Sequence, residues 1–299
     1  MMLKKAVWTR LLIVGCAQNC EAYLPAVLSN LDRLRQHFLD SKMLVLENDS
    51  SDETASLLRG WARSEASISA FSMPGLSQKI ISRTERLAHL RNAGLAWFRQ
   101  QGLLGDASLV LVLDFDEVNS DAWDLDAFIN VLDWFASESP AAGVFANQLG
   151  LYYDLWALRE QKLCPYDIWE AQCELHHERP VLDDQQLLDL VVKPLQFSID
   201  PALEPVKVDS AFGGLGFYKG SWLARLPAAI YVGSRVRWLN GAHGLKLVSW
   251  QCSEHVSFNA HLRAAGADLW IHPALVNWDT RHFGASLPFN PSYWRMMQC

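Results

Sequence analysis

The sequence predicts an α/β fold whose central, mostly parallel sheet is flanked by helices. Two observations favour this class. Short apolar runs alternate with amphipathic stretches through the first half of the chain, which is typical of strands connected by helices. The most apolar run, 108–113, lacks polar alternation, as expected of a strand buried on both faces. The 299 residues, half of them hydrophobic, are enough for a sizeable core.

The first half of the chain can be divided into elements by hydrophobic spacing. Residues 24–38 carry apolar side chains at helical intervals, whereas 11–17 form a short continuous apolar run. The same criteria predict strands at 11–17, 43–46, 68–71 and 108–113, and helices at 24–38, 52–64 and 84–101.

Beyond residue 150 the pattern becomes irregular. Residues 159–206 mix proline, charged and aromatic residues without a clear period, so we expect a long irregular excursion there. Regular elements return as a strand at 246–250, a helix at 254–265 and a strand at 268–271. No repeat or linker divides the chain, which favours one domain over residues 1–299.

Composition excludes several classes of protein. The formal charge of −7, without a basic run, argues against nucleic acid as a partner. Six cysteines without a C-x-x-C pair are expected to be reduced thiols of a cytoplasmic protein. No stretch approaches the roughly 20 apolar residues of a membrane span, so membrane contact is expected to be peripheral at most. Lys4 and Lys5 precede an apolar run, but Arg10 interrupts it, which favours a buried strand over a signal segment.

An acidic segment follows the most apolar predicted strand. Asp114, Asp116 and Glu117 come directly after it, and ligands of open α/β sheets bind beyond the carboxyl ends of the strands. Three acids within four residues repel one another unless a divalent cation neutralises them. A metal site and a solvated acidic turn are both compatible with the local sequence.

Polar residues also follow the second predicted strand. Glu47, Asp49 and Asp52 lie in a segment that could cap the next helix or recognise the base and ribose of a nucleotide. Further along, Arg86 and Arg91 lie in the segment RTERLAHLRN. Arginine binds diphosphate through two parallel hydrogen bonds, although salt bridges on a helix surface would also explain these side chains.

Three later segments carry further candidates. Phe212 could stack on a sugar ring, and Gly213 and Gly214 would allow the backbone to approach it, although an ordinary glycine-rich turn fits as well. Glu254, at a predicted helix start, is either a cap or a carboxylate that contacts the acceptor or the reacting sugar, and His255 could be a metal ligand. Trp156 lies in YYDLWALR, whose aromatic and polar residues are typical of sugar recognition.

Six blocks in the same order resemble the nucleotide-sugar glycosyltransferases of the GT-A fold, and among these the capsule-associated α-1,3-mannosyltransferase-like family. The resemblance extends over residues 11–277 and rests on ENDSSDET, RTERLAHLRN, LVLDFDE, YYDLWALR, DSAFGGLGFY and CSEHVSFNAHLRAAG. It implies a nucleotide-sugar-binding half at 11–150 and an acceptor-binding half at 151–299.

The resemblance also implies roles for individual residues. Mn2+ or Mg2+ would be held by Asp114 and Asp116, with His255 as a further ligand. Glu254 and Asp209 would be the catalytic carboxylates. The donor would contact the side chains or backbone of Glu47, Asp49, Asp52, Arg86, Arg91, Asn92, Phe212, Gly213 and Gly214.

The sequence thus predicts a metal-dependent enzyme that moves a hexose from a nucleoside-diphosphate sugar to a saccharide acceptor of a surface polymer or glycoconjugate. GDP-mannose is the favoured donor and a UDP-sugar the second candidate. One alternative is a haloacid dehalogenase-like phosphatase with Asp114 as nucleophile, since D-F-D-E-V also matches that nucleophile loop. The other is a sugar-binding protein without catalytic activity.

Overall fold

The predicted α/β class with a mostly parallel central sheet is confirmed. The computed structural model describes residues 8–227, 230–241 and 244–284. The strands are β1 (Arg10–Ala17), β2 (Asp40–Glu47), β3 (Ile68–Ser72), β4 (Ser108–Asp114), β5 (Ala141–Leu149), β6 (Val206–Val208), β7 (Leu215–Lys219), β8 (Ser234–Gly241), β9 (Gly244–Gln251) and β10 (Asp268–Asp279). The helices are α1 (Leu24–Arg35), α2 (Thr54–Ser64), α3 (Leu76–Lys79), α4 (Arg83–Gln100), α5 (Leu125–Ser137), α6 (Ile168–Glu178), α7 (Asp184–Val191), α8 (Gly220–Arg225) and α9 (Glu254–Ala264).

Strand direction brings several loop regions to one edge of the sheet. Its order is β3-β2-β1-β4-β7-β5-β10-β6. Strands β1 to β4 pair in parallel, and β7 is antiparallel to both β4 and β5. Strands β4 and β5 therefore run in the same direction, and β10 is parallel to β5. The carboxyl ends of β1, β2, β4, β5 and β10 consequently lie at the same edge.

The core lies on both faces of this sheet, as continuous apolar strands require. Alternate residues of β4 contribute to two separate hydrophobic clusters, with Val110 and Val112 on one face and Leu109 and Leu111 on the other. Helix α4 covers the first face and approaches it closely, since a Cβ at Gly94 would lie 2.5 Å from Val14 Cγ2. Helices α1 and α5 contribute to the second cluster.

The predicted irregular excursion at 159–206 is wrong in its centre, because helices α6 and α7 form there. Asp167 caps α6 by accepting a hydrogen bond from the Glu170 amide at 3.1 Å. Asp183 and Gln186 form a capping box at the start of α7. These helices are short, so their hydrophobic periodicity covers few turns, and their capping residues are the clearer local signal.

One strand prediction also needs correction. Strand β10 extends to Asp279, well beyond the predicted end at 271, and its pairing with β5 shifts between Ile271 and Val276, around Pro273. The strand predicted at 246–250 is confirmed within β9, which pairs with β8 in a separate hairpin. Strand β7, inserted between β4 and β5, was missed.

No helix in the described ranges is long and apolar enough to cross a bilayer. Five of the six cysteines, at 16, 20, 164, 173 and 252, lie in the described ranges, are buried and form no disulfide with one another, while Cys299 lies outside the described residues. Lys4 and Lys5, the basic residues before the apolar run, lie outside the described residues. The apolar run itself forms the buried strand β1.

Candidate active site

A cavity of about 660 Å³ opens at the edge where the parallel strands end. This volume is in the range typical of small-molecule sites. Residues following β1, β2, β4 and β5 line it, and so do residues at the starts of α4 and α9. The cavity therefore occupies the position where ligands of open α/β sheets bind.

The acidic pair after β4 lies in this cavity, but its two carboxylates differ. Asp114 Oδ1 accepts a hydrogen bond from Arg91 Nη2 at 2.6 Å. Asp116 Oδ1 has no solvent contact and no hydrogen-bond partner among the described residues. Burial, with a smaller contribution from the charge of Asp114, raises the pKa of Asp116 from 3.8 to about 7. Asp116 is thus the acid of the pair that lacks a cation or donor at its buried oxygen.

Arg91 connects three elements. It projects from α4, is almost completely buried, and forms ion pairs with Asp114 at the end of β4 and with Glu254 at the start of α9. Its Cζ lies 5.0 Å from the centroid of the Phe212 ring. A buried cation between two carboxylates offsets their mutual repulsion. The sequence-predicted residues Arg91, Asp114, Phe212 and Glu254 therefore meet in one cluster.

His255 lies beside this cluster with both ring nitrogens buried. Its ring stacks on Phe212, with centroids 3.6 Å apart, and neither Nδ1 nor Nε2 has a hydrogen-bond partner within the part of the chain described. Burial, and then the positive charge of Arg91, hold the pKa of His255 well below its usual value. The imidazole is therefore neutral at physiological pH, the state required of a metal ligand.

The residues present are chemically suited to a divalent cation, although they do not form a complete cage. No group of three His, Cys, Asp or Glu side chains that could hold a metal ion occurs among the described residues. Asp116 Oδ1 and the His255 nitrogens nevertheless have no hydrogen-bond partner within the described ranges, and both residues line the cavity. Mg2+ in nucleotide sites commonly keeps one or two protein carboxylates and completes its shell with phosphate oxygens and water.

The acids after β2 shape a loop and are not in the cavity wall. Glu47 accepts a hydrogen bond from the Ser50 amide at 2.8 Å. Asp49, at a positive φ of 52°, accepts hydrogen bonds from the backbone amides at 75 and 77. Asp52 accepts hydrogen bonds from the Thr54 and Glu21 amides. Glu47 and Asp52 thus stabilise the turn before α2, and Asp49 binds the start of α3. The interpretation of these three acids as nucleoside ligands stays a prediction.

The other predicted donor contacts differ in position. Arg86 lines the cavity and donates hydrogen bonds to the carbonyls of residues 80 and 81. Asn92 instead exchanges hydrogen bonds with the backbone of Tyr231, away from this cavity. Gly213 and Gly214 both have positive φ, and their peptide groups bond to neighbouring loops at the edge of the site.

Asp209 lies apart from the other predicted site residues. Its side chain is 71% exposed and forms an ion pair with Arg263 at 3.2 Å, and it is not among the residues that line the cavity. The catalytic role that the resemblance implies for Asp209 stays a prediction without support from this geometry. Although Asp209 and Phe212 are only three residues apart, the Asp209 side chain contacts Arg263 at the surface and the Phe212 ring stacks on His255.

Sequence reasoning missed several cavity residues. Gln18, Asn19 and Asn48 follow β1 and β2 and line the cavity, as the strand-end rule already applied to Asp114 would have indicated. Asp154 also lines the cavity and was noted only as part of YYDLWALR. The rings of Tyr153, Trp169, Trp278 and Phe283 complete the wall on that side.

Comparisons with known proteins are limited to solved structures. No protein-family model and no curated protein matches the chain. The mannosyltransferase PcManGT from Pyrobaculum calidifontis, solved with GDP-Man and Mn2+, aligns at 16% identity over 74% of this chain and 47% of its own, with a TM-score of 0.38. The glucosyl-3-phosphoglycerate synthase from Mycobacterium tuberculosis, solved with Mn2+, UDP and phosphoglyceric acid, aligns at 18% identity over 74% and 61%, with a TM-score of 0.34.

A third solved structure, TarS 1-349 from S. aureus, aligns at 14% identity over 47% of this chain and 36% of its own, with a TM-score of 0.33. The chain thus spans 47% of the length of the mannosyltransferase and 36% of the length of TarS 1-349. At such identities and TM-scores the alignments do not establish a family for the chain.

Proposed function

We propose that this chain is a metal-dependent glycosyltransferase that moves a hexose from a nucleoside-diphosphate sugar to a saccharide acceptor. The observation that carries the proposal is the partnerless, buried carboxylate oxygen of Asp116 in a ligand-sized cavity at the strand ends. The motif blocks that resemble GT-A glycosyltransferases add support. They favour GDP-mannose as donor, with a UDP-sugar second, and an acceptor of a surface polysaccharide or glycoconjugate.

In this proposal Asp116 holds Mn2+ or Mg2+, with Asp114 and His255 beside it. When bound, the cation stabilises the negative charge that develops on the departing nucleoside diphosphate. Arg83 and Arg86, which line the cavity at the start of α4, provide positive charge for the same diphosphate. The amide groups of Gln18, Asn19 and Asn48 are suited to hydrogen bonds with a nucleoside.

Arg91 and Glu254 have a positioning role. Their ion pair, together with the contact between Arg91 and Asp114, fixes the ends of β4 and α9 relative to each other. Asp114 is thereby held in one orientation next to Asp116. This deviates from the sequence-based hypothesis, in which Glu254 contacts the reacting sugar directly.

The phosphatase alternative requires Asp114 to attack phosphorus. The 2.6 Å hydrogen bond from Arg91 engages one oxygen of that carboxylate and lowers its nucleophilicity. Asp114 also ends the fourth strand of the chain, whereas the nucleophile of those phosphatases follows an early strand. Both observations favour the transferase.

The test is nucleoside diphosphate release and ligand-dependent thermal stability. GDP-mannose or a UDP-hexose should raise the melting temperature in Mn2+ and not in EDTA, since a bound ligand stabilises the folded state by mass action. Slow release of GDP or UDP from the same donor should also require the metal. Release of inorganic phosphate would indicate a phosphatase. If the protein neither binds the nucleotide sugar nor releases a nucleoside diphosphate from it, the proposed glycosyltransferase activity is wrong.

A further inference from the structure

The cavity is also lined by a carboxylate that forms no ion pair with Arg91. Asp154 lies in the loop after β5 and lines the cavity. One of its oxygens accepts a hydrogen bond from the Gly213 amide at 3.1 Å, and the other accepts one from the Ala157 amide at 3.2 Å. Two backbone donors thus fix the direction of the carboxylate.

Asp154 binds backbone amides, whereas Asp114 and Glu254 both form ion pairs with the guanidinium of Arg91. The oxygens of Asp154 each accept one backbone hydrogen bond, and a carboxylate oxygen can accept a second. Asp154 therefore keeps acceptor capacity toward the cavity, in a fixed orientation, whereas Glu254 is committed to Arg91.

Several aromatic rings line the same cavity as this carboxylate. Tyr153 packs edge-on against Trp278, with centroids 5.7 Å apart, and Trp278 against Phe283 at 5.4 Å. All three rings line the cavity, as does Trp156, two residues after Asp154. Aromatic walls with a few oriented polar groups are typical of small-molecule sites. The apolar faces of a sugar can pack on such rings while its hydroxyl groups bond to the carboxylate.

The charges on this side disfavour an anionic acceptor. The arginines that line the cavity are Arg83 and Arg86, at the start of α4, and Arg91, which already serves two carboxylates. A phosphate or carboxylate group placed beside Asp154 would meet like charge.

We propose that Asp154 accepts a hydrogen bond from the acceptor hydroxyl group, and that the wall formed by Tyr153, Trp278 and Phe283 makes this end of the cavity a subsite for an uncharged sugar. The inference rests on the proposed glycosyltransferase function and adds the chemical class of its acceptor. It also assigns acceptor recognition to Asp154 instead of Glu254. In the transfer, the acceptor oxygen bonds to the anomeric carbon as the bond from that carbon to the diphosphate oxygen breaks, and the acceptor proton leaves through the hydrogen bond to Asp154.

The experiment compares Asp154→Asn with Asp106→Asn, which makes the same change at an exposed carboxylate in the turn before β4. The neutral probes are methyl mannosides, glucosides and galactosides of both anomeric configurations, and the charged probes are mannose 6-phosphate and glucuronate. Transfer from GDP-mannose and from UDP-glucose in Mn2+ is followed by mass spectrometry. Nucleotide dissociation constants and melting temperatures are measured in parallel.

We expect Asp154→Asn to lower transfer to the neutral probes by about 100-fold or more, the lower range for loss of a group that handles the acceptor proton. The dissociation constants for GDP and UDP in Mn2+ should stay within about twofold. Asp106→Asn should match the wild type in every measurement. Because a lost fold in Asp154→Asn would also abolish transfer, Trp278→Leu serves as a second variant, with an acceptor KM raised about tenfold and unchanged nucleotide binding.

Full transfer activity in both Asp154→Asn and Trp278→Leu would overturn the inference. So would a wild-type preference for mannose 6-phosphate or glucuronate over the whole neutral panel. A failure of the proposed glycosyltransferase function gives a different result. In that case the wild-type protein neither binds nucleotide in Mn2+ nor releases it from a donor, even before an acceptor is added.

Discussion

Arg91 Nη2 lies 2.6 Å from Asp114 Oδ1, and the same guanidinium contacts the carboxylate of Glu254. One buried cation thus joins α4, the end of β4 and the start of α9. Since these residues are 23 and 163 positions from Arg91 in sequence, the contact exists only in the folded chain. Several testable consequences depend on this cluster and on the acids around it.

Replacing Arg91 should destabilise the protein strongly. Arg91→Leu leaves two carboxylates at the centre of the cluster without their cation, and breaking a buried ion pair costs about 3–5 kcal/mol. Arg281→Leu removes an exposed pair with Asp279 and should cost at most about 1 kcal/mol. Urea unfolding of both variants measures the difference. Equal destabilisation would mean that the Arg91 cluster adds little to stability.

Asp116→Ala should abolish metal-dependent nucleotide binding and leave the fold intact. The variant removes a carboxylate whose buried Oδ1 has no hydrogen-bond partner in the described chain, and the internal bond it loses is the one from the Val118 backbone amide. Loss of a metal ligand should lower the turnover of donor by about 100-fold or more. Calorimetric titration of GDP and UDP in Mn2+ tests this, with Asp106→Asn as control. Undiminished metal-dependent binding in Asp116→Ala would contradict the assignment.

The raised pKa of Asp116 predicts how its effect on stability changes with pH. In the folded protein the group titrates at about 7, and in the unfolded chain near 3.8. Between these values the folded state binds more protons, so ionising Asp116 lowers stability progressively as pH rises from about 4 to about 7. The linked free energy is roughly 1.4 kcal/mol per unit of pKa difference.

Asp116→Asn should therefore gain stability over the wild type across that pH range, in metal-free buffer with EDTA. The comparison uses the difference between the two proteins, because the depressed pKa of His255 produces the opposite trend in both. Chemical unfolding at several pH values from 4.5 to 8 measures it. A difference that does not change with pH would show that Asp116 titrates normally in the folded chain.

Gly213→Ala should be more destabilising than Gly102→Ala. Both glycines have a φ of 65°, so both substitutions carry the same backbone strain. At Gly213 a Cβ would lie 2.7 Å from the Ala146 carbonyl oxygen, whereas at Gly102 it would meet nothing within 4 Å. The excess destabilisation, of roughly 1–3 kcal/mol, measures crowding beside Asp154. Thermal unfolding of the two variants tests this, and equal losses would contradict it.

Much of the fold was predictable because its signals are local. The apolar run of β4 and the helical spacing of α1 and α4 lie within short windows, and each element formed close to its predicted position. The insertion of β7 between β4 and β5 had no such signal, since the neighbour of a strand depends on residues far away in sequence. Helices α6 and α7 had capping residues but too few turns for a clear hydrophobic period.

Prediction of the site was uneven for the same reason. The strand-end rule identified Asp114 and Asp116 correctly as cavity residues. It did not place Glu47, Asp49 and Asp52 in the cavity wall, because an acid after a strand can bond either to a ligand or to nearby backbone amides. Sequence position gives no means of separating these two outcomes.

The sequence by itself determined the alternation of strands and helices and the presence of acids at the end of the central strand, because both follow from short-range patterns of polarity. Only the tertiary structure decided which acids keep free acceptor capacity. Arg91 reaches Asp114 and Glu254 across three elements, while two backbone amides orient Asp154. A carboxylate's chemistry depends on the charges and donors that surround it, and long-range packing alone brings these together.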